Sequence, residues 1–292
     1  MQHARSISRA AAWMAGWLLL MTVIAVAGRE ATRELSVFQV MALRSLIGLL
    51  LLAPLVQHAG GLRAMGTQRL RAHGLRNLVH YGAQYGWFAA LALIPLAQVV
   101  AIEFTMPIWT ALLATAFLGE RVDARKLAAI TLGMAGVALI ARPDGAGGFG
   151  AGHAIALAAA LGFAVSVTMV KSLTRTDTAT VVMFWMLLIQ SVVGLVPALL
   201  TWRDPLPQQW GWIALVAICG TFSHYCMARA MAHAEATVVV PMDFLRLPLT
   251  ALAGWAIYAE RLDIATIAGS ALILSGNLVN LRRAAPPVRR RP

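Results

Sequence analysis

Charged residues are scarce in this sequence. Asp, Glu, Lys and Arg make up only 12 % of its 292 residues, whereas soluble globular proteins carry about 25 %. Such sparse charge cannot cover a surface that faces water, and 60 % of the residues are hydrophobic. The composition therefore excludes a soluble enzyme and, for the opposite reason, an intrinsically disordered chain. It predicts a polytopic membrane protein, and at about 20 apolar residues per span the chain accommodates about ten helices.

Cysteine and acidic residues are also rare. The two cysteines, Cys219 and Cys226, lie within one apolar stretch at a spacing that suits neither a zinc site nor a disulfide inside one helix. The 12 acidic residues face 24 basic ones, which gives a formal net charge of +12. Because positive residues of membrane proteins accumulate in cytoplasmic loops, we interpret this excess as a topology signal. We expect no metal, no cofactor and no nucleic-acid partner.

Motifs for nucleotide chemistry are missing or misplaced. Residues 145–150 match the dinucleotide pattern GxGxxG, but that pattern has meaning only between a strand and a helix. Here it joins two apolar segments, which indicates a flexible connection. The sequence has no P-loop lysine motif, no HExxH and no GxSxG. We therefore expect no enzyme activity and no ATP-driven pumping by this chain alone.

Hydropathy divides the chain into apolar segments that are long enough to cross a membrane as helices. An alternative for the first segment is a secretory signal peptide, because Ala25-Val26-Ala27 fits the small-residue cleavage rule. Its removal would leave nine spans. The predicted spans lie near 11–29, 36–56, 74–94, 96–118, 125–141, 152–171, 179–201, 210–231, 236–258 and 263–281.

The distribution of Lys and Arg predicts the orientation. Most of the 24 basic residues lie in the ends and loops that share one side with the N-terminus. Under the positive-inside rule that side is cytoplasmic. We expect a multi-pass protein of the bacterial inner (cytoplasmic) membrane, with both termini in the cytoplasm and membrane lipid around it.

The two halves of the sequence resemble each other. A shift of 140 residues places Glu120-Arg121-Val122-Asp123 on Glu260-Arg261-Leu262-Asp263, and Glu103-Phe104 on Asp243-Phe244. Spans 1–5 therefore repeat as spans 6–10. Because five is odd, the second copy must enter the membrane from the opposite side. Inverted repeats of this kind are typical of secondary transporters.

This pattern predicts an all-α polytopic membrane protein with ten transmembrane helices in a 5+5 inverted-repeat bundle. The first repeat is expected to occupy residues 1–143. The second is expected over 151–292, including a basic C-terminal tail. Together they would form one membrane domain.

The repeat, Arg44 in span 2 and the Gly-Glu-Arg and Ala-Glu-Arg sequences after spans 4 and 9 resemble the EamA-type drug/metabolite transporter superfamily. The resemblance covers about residues 10–282. His80-Tyr81 and Tyr85 in span 3 are most similar to the YddG branch of aromatic amino-acid exporters. The resemblance implies a secondary transporter that exports small amphipathic metabolites by alternating access, led by aromatic or other apolar amino acids. Another cargo (a nucleotide-like cofactor or a drug), an importer and, more distantly, a membrane-embedded transferase remain open.

Span 3 carries the polar residues that suggest a substrate path. His80 and Gln84 lie on one helical face, and Tyr81 and Tyr85 on the adjoining one. Polar groups at mid-span are costly against hydrocarbon, so they should face a cavity or other helices. Purely structural hydrogen bonding is the alternative. The predicted substrate-binding residues, which should converge near the midplane, are Trp17, His80, Tyr81, Gln84, Tyr85, Trp109 and Tyr225.

Two further predictions concern charge and helix interruption. Arg44 and Glu103 should lie at similar depths in spans 2 and 4, so we expect a structural ion pair between them. Prolines interrupt spans 4 and 9, which correspond in the repeat. Proline frees a backbone carbonyl, and paired interruptions indicate a midplane site or hinge. The predicted hinge residues are Pro107, Pro241 and Pro248.

Overall fold

A computed structural model describes residues 7–118, 124–141, 149–234, 239, 242–261 and 263–281. The predicted Pro241 lies outside these residues. A short 3-10 helix, Leu62–Met65, lies between the second and third α-helices. The α-helices are α1 (Ile7–Glu34), α2 (Val37–His58), α3 (Leu70–Leu93), α4 (Leu96–Glu103), α5 (Met106–Leu118), α6 (Ala124–Ala141), α7 (Ala151–Leu173), α8 (Ala179–Leu200), α9 (Pro207–His233), α10 (Arg246–Tyr258) and α11 (Ile264–Leu281).

The chain crosses the membrane ten times, in two inverted repeats of five spans. Within the described residues α4 and α5 together form the fourth span, α10 forms the second part of the ninth, and each of the other predicted spans matches one helix. Five helices are both long and apolar enough to cross a membrane by length and composition alone: α1, α2, α7, α8 and α9. These observations confirm the all-helical fold class.

Helix packing follows the repeat. Exchange of the two halves converts α1, α2 and α3 into α7, α8 and α9, and it exchanges α6 with α11. The contact between α1 and α9 then becomes the contact between α7 and α3, and both are extensive. The pairs α2 with α8 and α6 with α11 map onto themselves. The helices therefore surround a pseudo-twofold axis in the membrane plane, as expected of an inverted repeat.

The fourth and ninth spans break at equivalent residues. The chain leaves the helical conformation at Phe104-Thr105 and again at Phe244-Leu245, which are 140 residues apart. Pro107 is the second residue of α5 and Pro248 the third of α10. Proline is tolerated in a first turn because the N–H that it lacks would have no intrahelical partner there. The prolines thus begin new helices after each break.

Interhelical bonds close the bundle at both membrane faces. At the α1–α2 face, Arg29 of α1 pairs with Glu260, which also accepts a hydrogen bond from the Leu96 backbone N–H. At the α2–α3 face, His73 Nε2 lies 2.7 Å from Asp177 Oδ2 in the α7–α8 loop. Burial raises the pKa of Asp177, but hydrogen bonds from His73 and Thr67 outweigh it and lower the pKa overall. These contacts connect the two repeats.

Candidate functional site

Helix α3 presents a buried polar stripe to the centre of the bundle. Arg76, His80 and Gln84 are spaced four residues apart and are each less than 9 % exposed, so they share one helical face. The Nδ1 atom of His80 lies 3.1 Å from Ser166 Oγ of α7, and its ring is 5.5 Å from that of Phe163. His80 and Gln84 therefore turn away from lipid, as the sequence predicted, toward the opposite repeat.

Gln84 joins the two repeats through hydrogen bonds. With its amide oriented by its neighbours, Gln84 Oε1 accepts hydrogen bonds from Arg44 Nη1 at 2.9 Å and Nη2 at 3.3 Å. Its Nε2 donates to Gln190 Oε1 at 3.0 Å. Arg44 and Gln190 are 7 % and 0 % exposed and occupy equivalent places in α2 and α8. These three residues, Arg44, Gln84 and Gln190, are called the central polar group below.

The two tyrosines of α3 face different neighbours. Tyr81 lies against Gly194 of α8, and its buried hydroxyl has no hydrogen-bond partner. The Tyr81 hydroxyl fits here because Gly194 has no side chain. A Cβ at Gly194 would lie 2.8 Å from the hydroxyl oxygen. Tyr85 is half-buried, with its ring centroid 4.5 Å from that of Phe38 in α2. Tyr81 thus borders the α8 side of the central polar group, and Tyr85 borders the α2 side.

A second charged group lies where the broken spans meet. Glu103 ends α4, and Asp243 precedes the break in the ninth span. The Nη2 atom of Arg246 donates to Glu103 Oε1 at 2.9 Å, and its Nε lies 3.6 Å from Asp243 Oδ1. Each carboxylate also accepts a hydrogen bond from an indole: Glu103 from Trp87 at 2.8 Å, and Asp243 from Trp17 at 2.6 Å. The Arg246 side chain is only 4 % exposed, so its charge is balanced here.

The expected ion pair between Arg44 and Glu103 is wrong. Glu103 pairs with Arg246, and Arg44 bonds to Gln84 instead. Counting residues along the spans placed both Arg44 and Glu103 in the membrane interior. It could not show which residues of other helices lie beside them. Helix α4 lies against α10 of the other repeat, which brings Arg246 to Glu103.

Trp17 contacts the charged group at the broken spans and His224 of α9. Its indole N–H reaches Asp243, and its ring centroid is 6.2 Å from that of His224 in α9. His224 is exposed although it lies within the span, and Arg44 and Arg76 act on it electrostatically. Trp17 therefore lies in the interior, next to an accessible His224 side chain.

Trp109 and Tyr225 have no hydrogen bond or ring contact with the central polar group. The indole of Trp109 donates to Thr105 Oγ1 at 3.1 Å, one turn earlier in the same span. Tyr225 is 48 % exposed, and its ring meets Trp13 edge-on at 5.6 Å. Both rings thus lie outside the cluster that the other predicted residues form.

The broken backbone of the fourth span has its own partner. The carbonyl of Phe104 accepts a hydrogen bond from Asn277 Nδ2 of α11 at 2.7 Å. A carbonyl freed inside a membrane needs such a partner because no water is available. Asn277 is 1 % exposed, so the break is built into the fold.

Several residues of this region were missed as site residues by the sequence reasoning. Gln190 and His224 are polar residues within apolar spans, and Arg246 was counted only as a charge. The repeat contains a signal for the first two: Arg44 falls on Gln190 with a shift of 146, and Gln84 falls on His224 with a shift of 140. Polar residues at equivalent places in both halves would have identified the centre.

Comparison with known proteins assigns the family. The EamA-like transporter family matches residues 8–142 and again residues 150–282. The chain belongs to the EamA-like transporter family. The two matches follow the two repeats, so the family pattern covers the whole membrane bundle.

Relatives of this chain are named for the transport of different small molecules. A riboflavin transporter of Rhizobium johnstonii is 31 % identical over 76 % of this chain and 74 % of its own length. An S-adenosylmethionine uptake transporter of Rickettsia bellii is 24 % identical over 90 % and 91 %. A pseudopaline exporter of Pseudomonas aeruginosa is 26 % identical over 84 % and 86 %. These relatives are all named as transporters of small molecules, and their names do not select the amino-acid branch.

A solved crystal structure has the same fold. It superposes with a TM-score of 0.64 at 22 % identity and covers 94 % of this chain and 97 % of its own. At that identity the likeness concerns the fold alone. The fold of the bundle is thus shared along nearly the full length of both chains.

Proposed function

We propose that this EamA-like protein is a secondary transporter that exports small amphipathic metabolites by alternating access, with aromatic or other apolar amino acids as the leading cargo. The observation that carries the proposal is the central polar group, held between the repeats by Gln84. Polar side chains buried at mid-membrane are costly unless they serve a pathway or a structural bond. The similarity of His80-Tyr81 and Tyr85 to the YddG branch supports the amino-acid cargo.

The predicted residues take different roles along this path. Trp17 and Tyr85 offer flat aromatic surfaces, which suit the apolar part of a cargo. His80 and Gln84 supply hydrogen-bonding groups for its polar end, and Tyr81 borders them. Trp109 and Tyr225 would line the path away from this centre.

The interruptions of spans 4 and 9 would act as hinges. Pro107 and Pro248 each lie in the first turn after a break, so α5 and α10 can tilt without losing a helical hydrogen bond. Pro241, which lies outside the described residues, belongs to the same proposal. Exchange of conformation between the two repeats would then convert one access state into the other.

The proposed orientation places both termini in the cytoplasm of a bacterial inner membrane. In a variant whose two cysteines are replaced by alanine, we expect Gln68→Cys to react with a membrane-impermeant maleimide only after the cells are opened. Asp204→Cys should react in intact cells, because both side chains are exposed and lie on opposite faces. The reverse pattern would contradict the orientation while leaving the fold intact.

A second cargo class is favoured by the relatives. The riboflavin transporter shares 31 % identity with this chain, and a flavin also carries a flat aromatic ring that Trp17 and Tyr85 could contact. The Rickettsia relative is named for uptake. Import of an aromatic cofactor is therefore the alternative to amino-acid export.

Counterflow in proteoliposomes tests the proposal. Vesicles containing the purified protein are loaded with unlabelled tryptophan, and entry of labelled tryptophan is followed against empty vesicles. Parallel vesicles carry leucine, glutamate, riboflavin or S-adenosylmethionine. Faster entry of tryptophan and leucine supports the proposal. Counterflow of riboflavin or S-adenosylmethionine alone supports the alternative cargo, and no counterflow by any solute rejects both.

Substitutions on the path should separate binding from packing. At normal expression we expect His80→Ala and Tyr85→Ala to reduce counterflow severalfold, because each removes a group next to the central polar group. Trp17→Ala should lower the preference for aromatic over small amino acids. Trp210→Ala is the matched control, since that indole is 45 % exposed at the start of α9. If Trp210→Ala reduces counterflow as much as the other substitutions do, the aromatic residues of the path only support packing.

A further inference from the structure

Arg44 is a buried cation that has no counterion among the residues the structure describes. Its side chain is 7 % exposed at mid-span, and no ion pair reaches it among the described residues. Glu103 and Asp243, which lie in the interior of the bundle, face Arg246. A buried charge without a partner is destabilising, so an anion beside Arg44 would be a stabilising partner.

Only part of the hydrogen-bonding capacity of Arg44 is used. A guanidinium has five N–H donors in a planar fork, a geometry that matches a carboxylate. Gln84 accepts from Nη1 and Nη2, and a neutral amide leaves the positive charge uncompensated. The remaining donors are available to a ligand that reaches the centre.

Gly220 of α9 lies against the guanidinium of Arg44. A Cβ at Gly220 would lie 3.9 Å from both Cζ and Nη2 of Arg44, and it would meet no side chain other than Arg44 within 4 Å. At this position α9 therefore places no side chain over the guanidinium. The accessible His224 side chain lies one turn further along the same helix.

We infer that Arg44, supported by Gln84 and Gln190, binds the carboxylate of the transported solute on the side of the guanidinium that faces α9. This inference rests on the proposed transport function and adds the chemical class of the cargo: an organic solute with a carboxylate. Gln190 fixes the Gln84 amide, and Gln84 in turn holds the guanidinium in place. Arg44 is thus the binding residue, and the two glutamines are positioning residues.

A route to this site leads from the α2–α3 face. Arg76 lies on the same face of α3 as His80 and Gln84, nearer to the start of the helix. Its Nη1 donates to Asn77, its buried Nε has no partner, and no described carboxylate pairs with it. Two uncompensated arginines therefore attract an anion in succession. In the proposed orientation this route begins in the cytoplasm, as export requires.

The first experiment uses the wild-type protein and cargo analogues. Labelled tryptophan counterflow is measured in competition with tryptophan, indole-3-propionate, tryptophanamide and tryptamine. The first two retain the carboxylate and the last two lack it. We expect the carboxylate-free compounds to compete about tenfold or more weakly, because hydrogen bonds to a charged group account for that difference. Equal competition by tryptophan and tryptophanamide would overturn the inference.

Two variants locate the effect. Arg44→Gln removes the charge and should abolish the preference for the acid over the amide, whereas Arg44→Lys should retain part of it. Gly220→Val keeps the charge but adds a side chain beside it, and should weaken tryptophan binding. Its matched control is Gly211→Val in the same helix, where a Cβ would meet nothing within 4 Å. Arg63→Gln, an exposed basic residue at the α2–α3 face, controls for surface charge.

The outcomes separate this inference from the proposed function. If tryptophan is not carried but S-adenosylmethionine is, the amino-acid proposal fails, and the same comparison is made with decarboxylated S-adenosylmethionine. If riboflavin alone is carried, the amino-acid proposal and the carboxylate site at Arg44 both fail, because a neutral cargo needs no carboxylate site. Where Arg44→Gln does not fold, the wild-type competition series decides. If no solute gives counterflow and tryptophan does not raise the melting temperature of purified protein above that with tryptophanamide, the inference is overturned.

Discussion

We expect replacement of Arg246 by leucine to destabilise the protein strongly and to lower the yield of folded protein. The guanidinium is held between Glu103 and Asp243, and its side chain is 4 % exposed. Its removal leaves two carboxylates close together in the membrane interior with no cation between them. Breaking a buried pair from one side costs about 3–5 kcal/mol. We expect a large fall in the monodisperse fraction after detergent extraction and a lower melting temperature.

A compensating variant tests this account of Arg246. In the triple variant Arg246→Leu/Glu103→Gln/Asp243→Asn no uncompensated charge remains, so stability should recover by more than half of the loss. Arg63→Leu, an exposed arginine, should behave like wild type. If the triple variant is no more stable than Arg246→Leu, the guanidinium stabilises the bundle through packing against Phe104, 4.8 Å from its ring, rather than through charge.

A single methyl group at Gly136 should separate the fifth and tenth spans. A Cβ at Gly136 would lie 2.5 Å from the carbonyl oxygen of Gly269, and one at Gly269 would lie 2.6 Å from that of Gly136. Both obstacles are backbone atoms, so no rotamer change removes them, and small residues permit this close crossing. Overpacking costs about 1–3 kcal/mol where side chains can adjust, and we expect at least that loss for Gly136→Ala.

The matched control for Gly136→Ala is Gly82→Ala in α3. A Cβ at Gly82 meets nothing within 4 Å, and alanine is the better helix former by about 1 kcal/mol. Thermal unfolding of the purified proteins should therefore shift in opposite directions for the two variants. Equal shifts would mean that the crossing of α6 and α11 tolerates an added methyl group.

The spans could be predicted from the sequence because each depends on local composition. Apolar runs gave helix positions within a few residues, as for 179–201 against Ala179–Leu200. The proline in the fourth span indicated a break, and the break lies at Phe104-Thr105. The inverted repeat followed from matching residues in the two halves, so the fold was accessible without structural information.

The interhelical partners of the central residues could not be predicted from the sequence. Glu103 and Arg246 are far apart in sequence, and they meet only because α4 lies against α10. Depth along a helix is fixed by the rise per residue, but the rotation and partner of each helix depend on packing. His80 and Gln84 were recognisable as interior residues because mid-span polarity is costly wherever the helix packs. Their partners Ser166 and Gln190 depended on the packing of α7 and α8.

The breaks in the fourth and ninth spans are equivalent in backbone but not in charge. The position that corresponds to Arg246 in the first repeat is Met106, 140 residues earlier. In the proposed alternating-access cycle the guanidinium stays with the second repeat when the repeats exchange conformations, so we expect the two access states to differ in free energy. We expect one state to be favoured at rest, and the apparent affinities at the two membrane surfaces to differ by the corresponding population ratio. Such a carrier would saturate at different solute concentrations on its two sides, while its net flux would still follow the solute gradient.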